Sequence, residues 1–162
     1  MIRLMIAAAL AAVLVASPLA AQAPPPPPPY GVGIGFEAAK KALAAAEAEA
    51  RKNNWPVAIA IVDSSAKLVA FSRMDNTQHA SVDIAIGKAV TANNFKRPSK
   101  ALQDGIAQGG VNLRILGQPG VTPLEGGVPI IVDGKIVGAI GASGVLSNQD
   151  AEVAMAGAAA VK

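Results

Sequence analysis

The stretch Pro56-Val-Ala-Ile-Ala-Ile-Val-Asp-Ser-Ser-Ala-Lys-Leu-Val-Ala-Phe-Ser-Arg73 decides the fold. From Pro56 to Asp63, apolar residues occupy both alternating sets: Val57, Ile59 and Ile61 on one, Ala58, Ala60 and Val62 on the other. Side chains of a strand alternate between faces, so a strand that is apolar on both sets is covered on both sides and sits in the middle of a sheet. Ser64 to Lys67 reads as a turn and Leu68 to Arg73 as the returning strand. A connection this short joins antiparallel neighbours.

Upstream, Phe36 to Asn53 is rich in alanine and charge and predicts a helix, with Phe36, Ala39, Leu43, Ala46 and Ala50 on one stripe. Downstream, a helix is expected from about Thr77 to Phe95, with Asp75, Asn76 or Thr77 as its cap. It carries an apolar stripe (Val82, Ile86, Ala89, Val90) and a mixed one (Ser81, Ile84, Lys88, Thr91, Phe95). A short helix from Ser99 to Gln108 follows. Residues 109–127 read as a long Gly- and Pro-rich loop, of the kind more often functional than idle. Val128 to Val132 and Lys135 to Ala142 form a second hairpin about Asp133-Gly134, the pair a type I′ turn asks for. A last helix is expected over about Gln149 to Val161, capped by Ser147 or Asn148. Two hairpins separated by helices give an α+β fold, an antiparallel sheet flanked by helices.

Composition removes most chemistry. The 162-residue chain has no cysteine and one histidine, His79. Thiolate catalysis, disulfides, iron–sulfur clusters and a zinc site needing several imidazoles are therefore excluded within one chain. The net charge of +3 reflects a small imbalance, and aromatics are only 3% of residues, so nucleic-acid binding is not expected.

Residues 1–23 read as a secretory signal: Arg3 supplies the positive start, Ile6 to Ala16 the apolar run, and Ala20, Ala21 and Ala23 the small residues of a cleavage site. The expected location is periplasmic or secreted. Residues 24–34, with prolines from Pro24 to Pro29 and then Gly31 and Gly33, read as a semi-rigid linker. The folded domain is expected over residues 35–162.

Three blocks carry a family resemblance. Ala58-Ile-Ala-Ile-Val-Asp-Ser-Ser-Ala-Lys-Leu-Val-Ala-Phe-Ser-Arg-Met-Asp75 resembles the first hairpin of the GlcG/HbpS family of haem-binding and glycolate-operon proteins. Lys88-Ala-Val-Thr-Ala-Asn-Asn-Phe95 is similar to its central helix. Gly126-Gly-Val-Pro-Ile-Ile-Val-Asp-Gly-Lys-Ile-Val-Gly-Ala-Ile-Gly-Ala-Ser-Gly144 is similar to its closing hairpin. The PduO C-terminal domain is similar as well. The resemblance implies a profilin-like fold, a homo-oligomer, and haem or a related tetrapyrrole as ligand in some members.

Against that background, Lys88 is the first candidate binding residue: a cation in mid-helix needs an anion, either a ligand carboxylate or an internal partner such as Asp75 or Asp63. Thr91 lies one turn away on the same stripe. Arg73, with Arg97, offers guanidinium clamps for carboxylates. His79 is the candidate axial ligand to haem iron, and hence the one metal ligand proposed; Met74 is a softer alternative. Gly138-Ala-Ile-Gly-Ala-Ser-Gly144 lacks the spacing and the βαβ setting of a dinucleotide fingerprint, so its glycines are read as allowing close packing of strand and helix. No Ser–His–Asp set and no spaced carboxylate pair can be assembled. The leading expectation is an exported binding protein for haem or a similar tetrapyrrole. The alternative is an enzyme or accessory protein acting on haem or a small 2-hydroxy acid.

Overall fold

The computed structural model describes residues 25–162. The signal reading of residues 1–23 lies outside the described residues.

Four strands form one antiparallel sheet: β1 Ala58–Asp63, β2 Leu68–Arg73, β3 Gly127–Val132 and β4 Lys135–Ser143, in the order β2-β1-β4-β3. β1 is central, as its two apolar sets require. Val57, Ile59 and Ile61 join Ile130, Ile140 and Ala142 under two helices, α1 Phe36–Lys52 and α4 Ser147–Ala159. Ala58, Ala60, Val62 and Ala139 face the opposite way, against α2 Ser81–Asn94. Asp133 and Gly134 both adopt positive φ, as the type I′ turn between β3 and β4 demands. The first hairpin turn is tied by the Asp63 carboxylate, which accepts the N–H groups of Ser65 and Lys67.

Close helix–sheet contact explains the residue sizes. A Cβ on Gly141 would overlap the carbonyl oxygen of Ala85, and one on Gly127 the carbonyl oxygen of Lys88. The α2 backbone therefore rests directly on β3 and β4, and only small side chains fit beneath it. This shifts the buried face of α2 from the expected one, although Ala89 of the expected stripe is buried. Ser81, Ala85, Lys88, Ala89, Thr91 and Ala92 are buried, whereas Val82, Ile86 and Val90 are only half-buried. The helix also starts later than expected, at Ser81: residues 77–80 form a turn, and the Thr77 hydroxyl donates to the Met74 carbonyl instead of capping the helix. On α1 the core stripe is Ala39, Ala42, Ala46 and Ala50, and Phe36 is exposed.

The stretch from α3 Lys100–Gln108 to β3 is not all loop, because a 3-10 helix spans Gly110–Gly117. The linker expectation also changes. The Gly31 N–H donates to the Ile136 carbonyl, the Ile136 N–H to the Pro29 carbonyl and the Ile34 N–H to the Val137 carbonyl, with Tyr30 bridged in parallel to Ile136. β4 begins before β1 ends alongside it, and this segment takes the vacant edge. The Tyr30 hydroxyl donates to the Asn93 carbonyl, and the Lys96 ammonium lies 4.3 Å from the centre of the tyrosine ring. Residues 29–34 are thus part of the packed structure.

Candidate functional site

Two hollows open at one end of the sheet, where β2 and β4 finish and β1 and β3 begin. The larger, about 640 Å³, lies between the end of α1 and the end of β2. Trp55, Pro56 and Met74 give it apolar walls, and Arg51 and Arg73 stand at its margin with Asp75. Arg73 is exposed and makes no side-chain hydrogen bond or ion pair among the described residues. Arg51 reaches only a long 3.5 Å contact with Glu47, whose other oxygen accepts the Ser72 hydroxyl. Two guanidiniums, Arg51 and Arg73, thus stand against two carboxylates, Glu47 and Asp75, and of the two guanidiniums only Arg73 makes no ion pair among the described residues.

The smaller hollow, about 390 Å³, lies between the start of α2, the end of β4 and the start of α4. Its floor is a buried ion pair. The Lys88 ammonium donates to the Asp150 carboxylate at 2.8 Å and to the Ala142 carbonyl at 3.0 Å, with both side chains almost fully covered (2% and 3% exposed). Asp150 also accepts the Val145 N–H at 3.2 Å. Burial pushes the Asp150 carboxyl above its ordinary value, against the opposing pull of Lys88 and of the Val145 and Gly144 backbone N–H groups. The partner of Lys88 is thus Asp150, not Asp75 or Asp63. Its charge is already paired by Asp150, so a ligand carboxylate would have to compete with Asp150 for it.

The two hollows adjoin. Pro56 lines the first and Gly144 the second, and a Cβ on Gly144 would overlap the Pro56 carbonyl oxygen. The loop from Met74 to Ala80 carries His79, exposed and with no side-chain hydrogen bond among the described residues; Gln78 and Ala80 on either side line the smaller hollow, and His79 lines neither. Thr91 lines neither. It is buried, and its hydroxyl accepts the Thr122 N–H at 2.8 Å, pinning the loop before β3 onto α2. Arg97 lies elsewhere, in a third hollow of about 280 Å³ between α3 and the 3-10 helix.

The structure therefore brings Arg73, His79 and Lys88 to one end of the sheet and leaves Thr91 in a structural position. The sequence reading missed Asp150, Arg51 and Trp55. Asp150 carried a usable signal: with Val153, Ala154 and Gly157 it follows the helical spacing of a buried stripe, where an acid needs a partner.

The profile of the family described as "Haem degrading protein HbpS-like" matches residues 34–159. The chain belongs to this family. Protein GlcG of Escherichia coli strain K12 is 42% identical over 101 residues, which is 62% of this chain and 74% of GlcG. Among solved structures, the PduOC:haem complex superposes with a TM-score of 0.74 at 28% identity, covering 81% of this chain and 96% of that one. HbpS superposes with a TM-score of 0.73 at 32% identity, covering 82% and 92%.

Among the described residues no group of three His, Cys, Asp or Glu side chains is placed to hold a metal ion. An axial ligand to haem iron needs only one imidazole, and His79 is uncommitted. The residues at the larger hollow fit a flat apolar acid: Trp55 and Met74 offer a wall, and Arg73 a free guanidinium.

Proposed function

We propose that this protein is an exported binding protein for haem or a related tetrapyrrole, held at the larger hollow. One observation carries the reading: the unengaged guanidinium of Arg73 beside the apolar wall of Trp55, Pro56 and Met74. A planar apolar ring system with acidic side arms matches that pairing, because guanidinium binds carboxylates in a fixed two-pronged geometry. Arg73, helped by Arg51, would hold the carboxylates, and His79 would offer an imidazole nitrogen to the iron. Bound haem would bring a redox-active iron; the chain's own residues bind and orient it. The family description and the haem complex of PduOC support the reading. Lys88 and Thr91 shape the end of the sheet instead of touching the tetrapyrrole.

Haemin titrated into the protein should give a saturable Soret shift at a defined ratio. Arg73→Ala should weaken binding about 10- to 150-fold, the loss of one charge-assisted hydrogen bond. A shift that never saturates would rule the site out. The family description also favours a second reading, haem breakdown. Decay of the Soret band when a reductant is added separates that activity from carriage.

The protein acts as a homo-oligomer in this reading. Val111, Leu113 and Leu116 on the 3-10 helix are exposed, apolar side chains that a second copy would cover. Light scattering that shows only monomers at micromolar concentration would exclude it.

A further inference from the structure

The smaller hollow has features that tetrapyrrole binding does not use. A buried ion pair is a poor stabiliser, since apolar residues of similar volume serve a fold as well or better. Here the pair is placed where a cleft reaches it. Hydrogen-bond capacity on the two groups is not fully used. The Lys88 ammonium has three N–H bonds, of which Asp150 takes one and the Ala142 carbonyl another. A carboxylate offers about four lone-pair positions, and Asp150 fills two, one with the Lys88 ammonium and one with the Val145 N–H. One N–H of Lys88 and lone-pair capacity on Asp150 are left at the floor of the cleft.

A single hydroxyl group satisfies both, accepting from Lys88 and donating to Asp150. Above the floor stand the hydroxyls of Ser143 and Ser147. Ser143 is only 5% exposed and lines the cleft. Ile84, Leu124 and Val145 form the apolar part of the wall. The charges of the floor cancel, so neither a carboxylate nor an ammonium ligand gains a net attraction that would offset its desolvation.

We propose that this cleft is a binding site for a small uncharged polyol, one hydroxyl bridging Lys88 and Asp150, a second meeting Ser143, and the carbon chain lying on Ile84 and Leu124. Haemin is not required for it.

The test is a titration of the 15N-labelled protein, without haemin, with glycerol and with 1,2-propanediol, followed by amide shifts. Acetate and methylammonium are the charged controls. Saturable shifts confined to the start of α2, residues 143–147 and Leu124 are expected for the polyols and absent for the controls. Ser143→Ala should weaken polyol binding about 3- to 10-fold, the range for one neutral hydrogen bond. Lys88→Met combined with Asp150→Leu replaces the floor by apolar groups and should abolish it, with the dispersed spectrum of a folded protein retained. Shifts that rise linearly without saturation, that spread over the whole surface, that ignore Ser143→Ala, or that are matched by acetate would each overturn the proposal.

Discussion

Lys88→Met isolates the part played by the buried pair. At 2.8 Å, with an effective dielectric constant of 20, the attraction between Lys88 and Asp150 is about 6 kcal/mol before desolvation is charged against it. Desolvation consumes most of this, so the net value of the pair is small, but removing one partner strands the other. Asp150 would be left buried with its charge uncompensated, at a cost of about 3–5 kcal/mol. For a domain of this length that lowers Tm by about 10–20 °C. Thermal and urea unfolding measure it, with haemin affinity recorded on the same variant. We expect a large loss of stability with haemin affinity nearly unchanged. Lys88→Met with Asp150→Leu should recover at least about 1 kcal/mol over Lys88→Met alone, with the now unpaired Val145 N–H keeping the recovery partial. A Lys88→Met protein that melts like the parent but loses haemin would refute the structural role and restore Lys88 as a ligand anchor.

The pH dependence follows from Asp150. Its folded value already lies above the ordinary carboxylate value because of burial, and Lys88→Met removes a group that pulls it down, so it rises further. Between the unfolded value and the raised folded value, the folded state holds a proton that the unfolded state has released. Stability therefore falls as pH rises through that window and is recovered as pH falls. The defect of Lys88→Met should be greatest at neutral pH and smaller in mild acid. A defect that grows on acidification would contradict the account.

Other expectations are as direct. Gly141→Ala should cost about 1–3 kcal/mol, because the added carbon meets the rigid backbone of α2 and not a side chain that can move aside; urea unfolding reads this. His79→Ala should change the haem spectrum while leaving most of the affinity that Arg73 provides, and an unchanged spectrum would remove His79 as axial ligand. Deleting residues 1–34 should lower Tm, since it strips the segment paired with Ile136 and Val137 and the Tyr30 contact with Asn93. Protein recovered from the extracytoplasmic fraction should begin between Gln22 and Pro24 by intact mass, and a full-length mass there would count against export.

The sheet was legible because its signals are local. Two apolar sets on β1 state that both faces are covered, and Asp133-Gly134 states the second hairpin; both follow from period-two alternation and turn chemistry alone. The face of α2 was not legible for the opposite reason. Apolar periodicity ranks Val82, Ile86 and Val90 above Ser81, Ala85 and Thr91, but the distance to the sheet decides which set goes under. That distance is set by Gly127 and Gly141, about 40 to 60 residues away in sequence. Where backbones nearly touch, volume outranks hydrophobicity. The docking of residues 29–34 escaped similarly: proline and glycine read as linker, and only the offset between the ends of β1 and β4 leaves an edge for them to fill.

The candidate site shows the same division. Arg73, His79 and Lys88 could be singled out by residue type, Arg73 as a charge at the end of β2, His79 as a ligating group in the loop before α2, and Lys88 as a cation in mid-helix. Their partners could not. Lys88 and Asp150 lie 62 residues apart, on helices packed against opposite faces of the sheet, and meet only where β4 ends and the chain turns into α4. A buried cation on one helical stripe and a buried anion on another form a matched pair in the sequence, and the match becomes specific once the topology puts both stripes at one end of the sheet. That end, where Trp55, Arg73 and Met74 meet on one side of the Pro56–Gly144 contact and Ser143, Lys88 and Asp150 on the other, is where substitutions should separate ligand binding from folding.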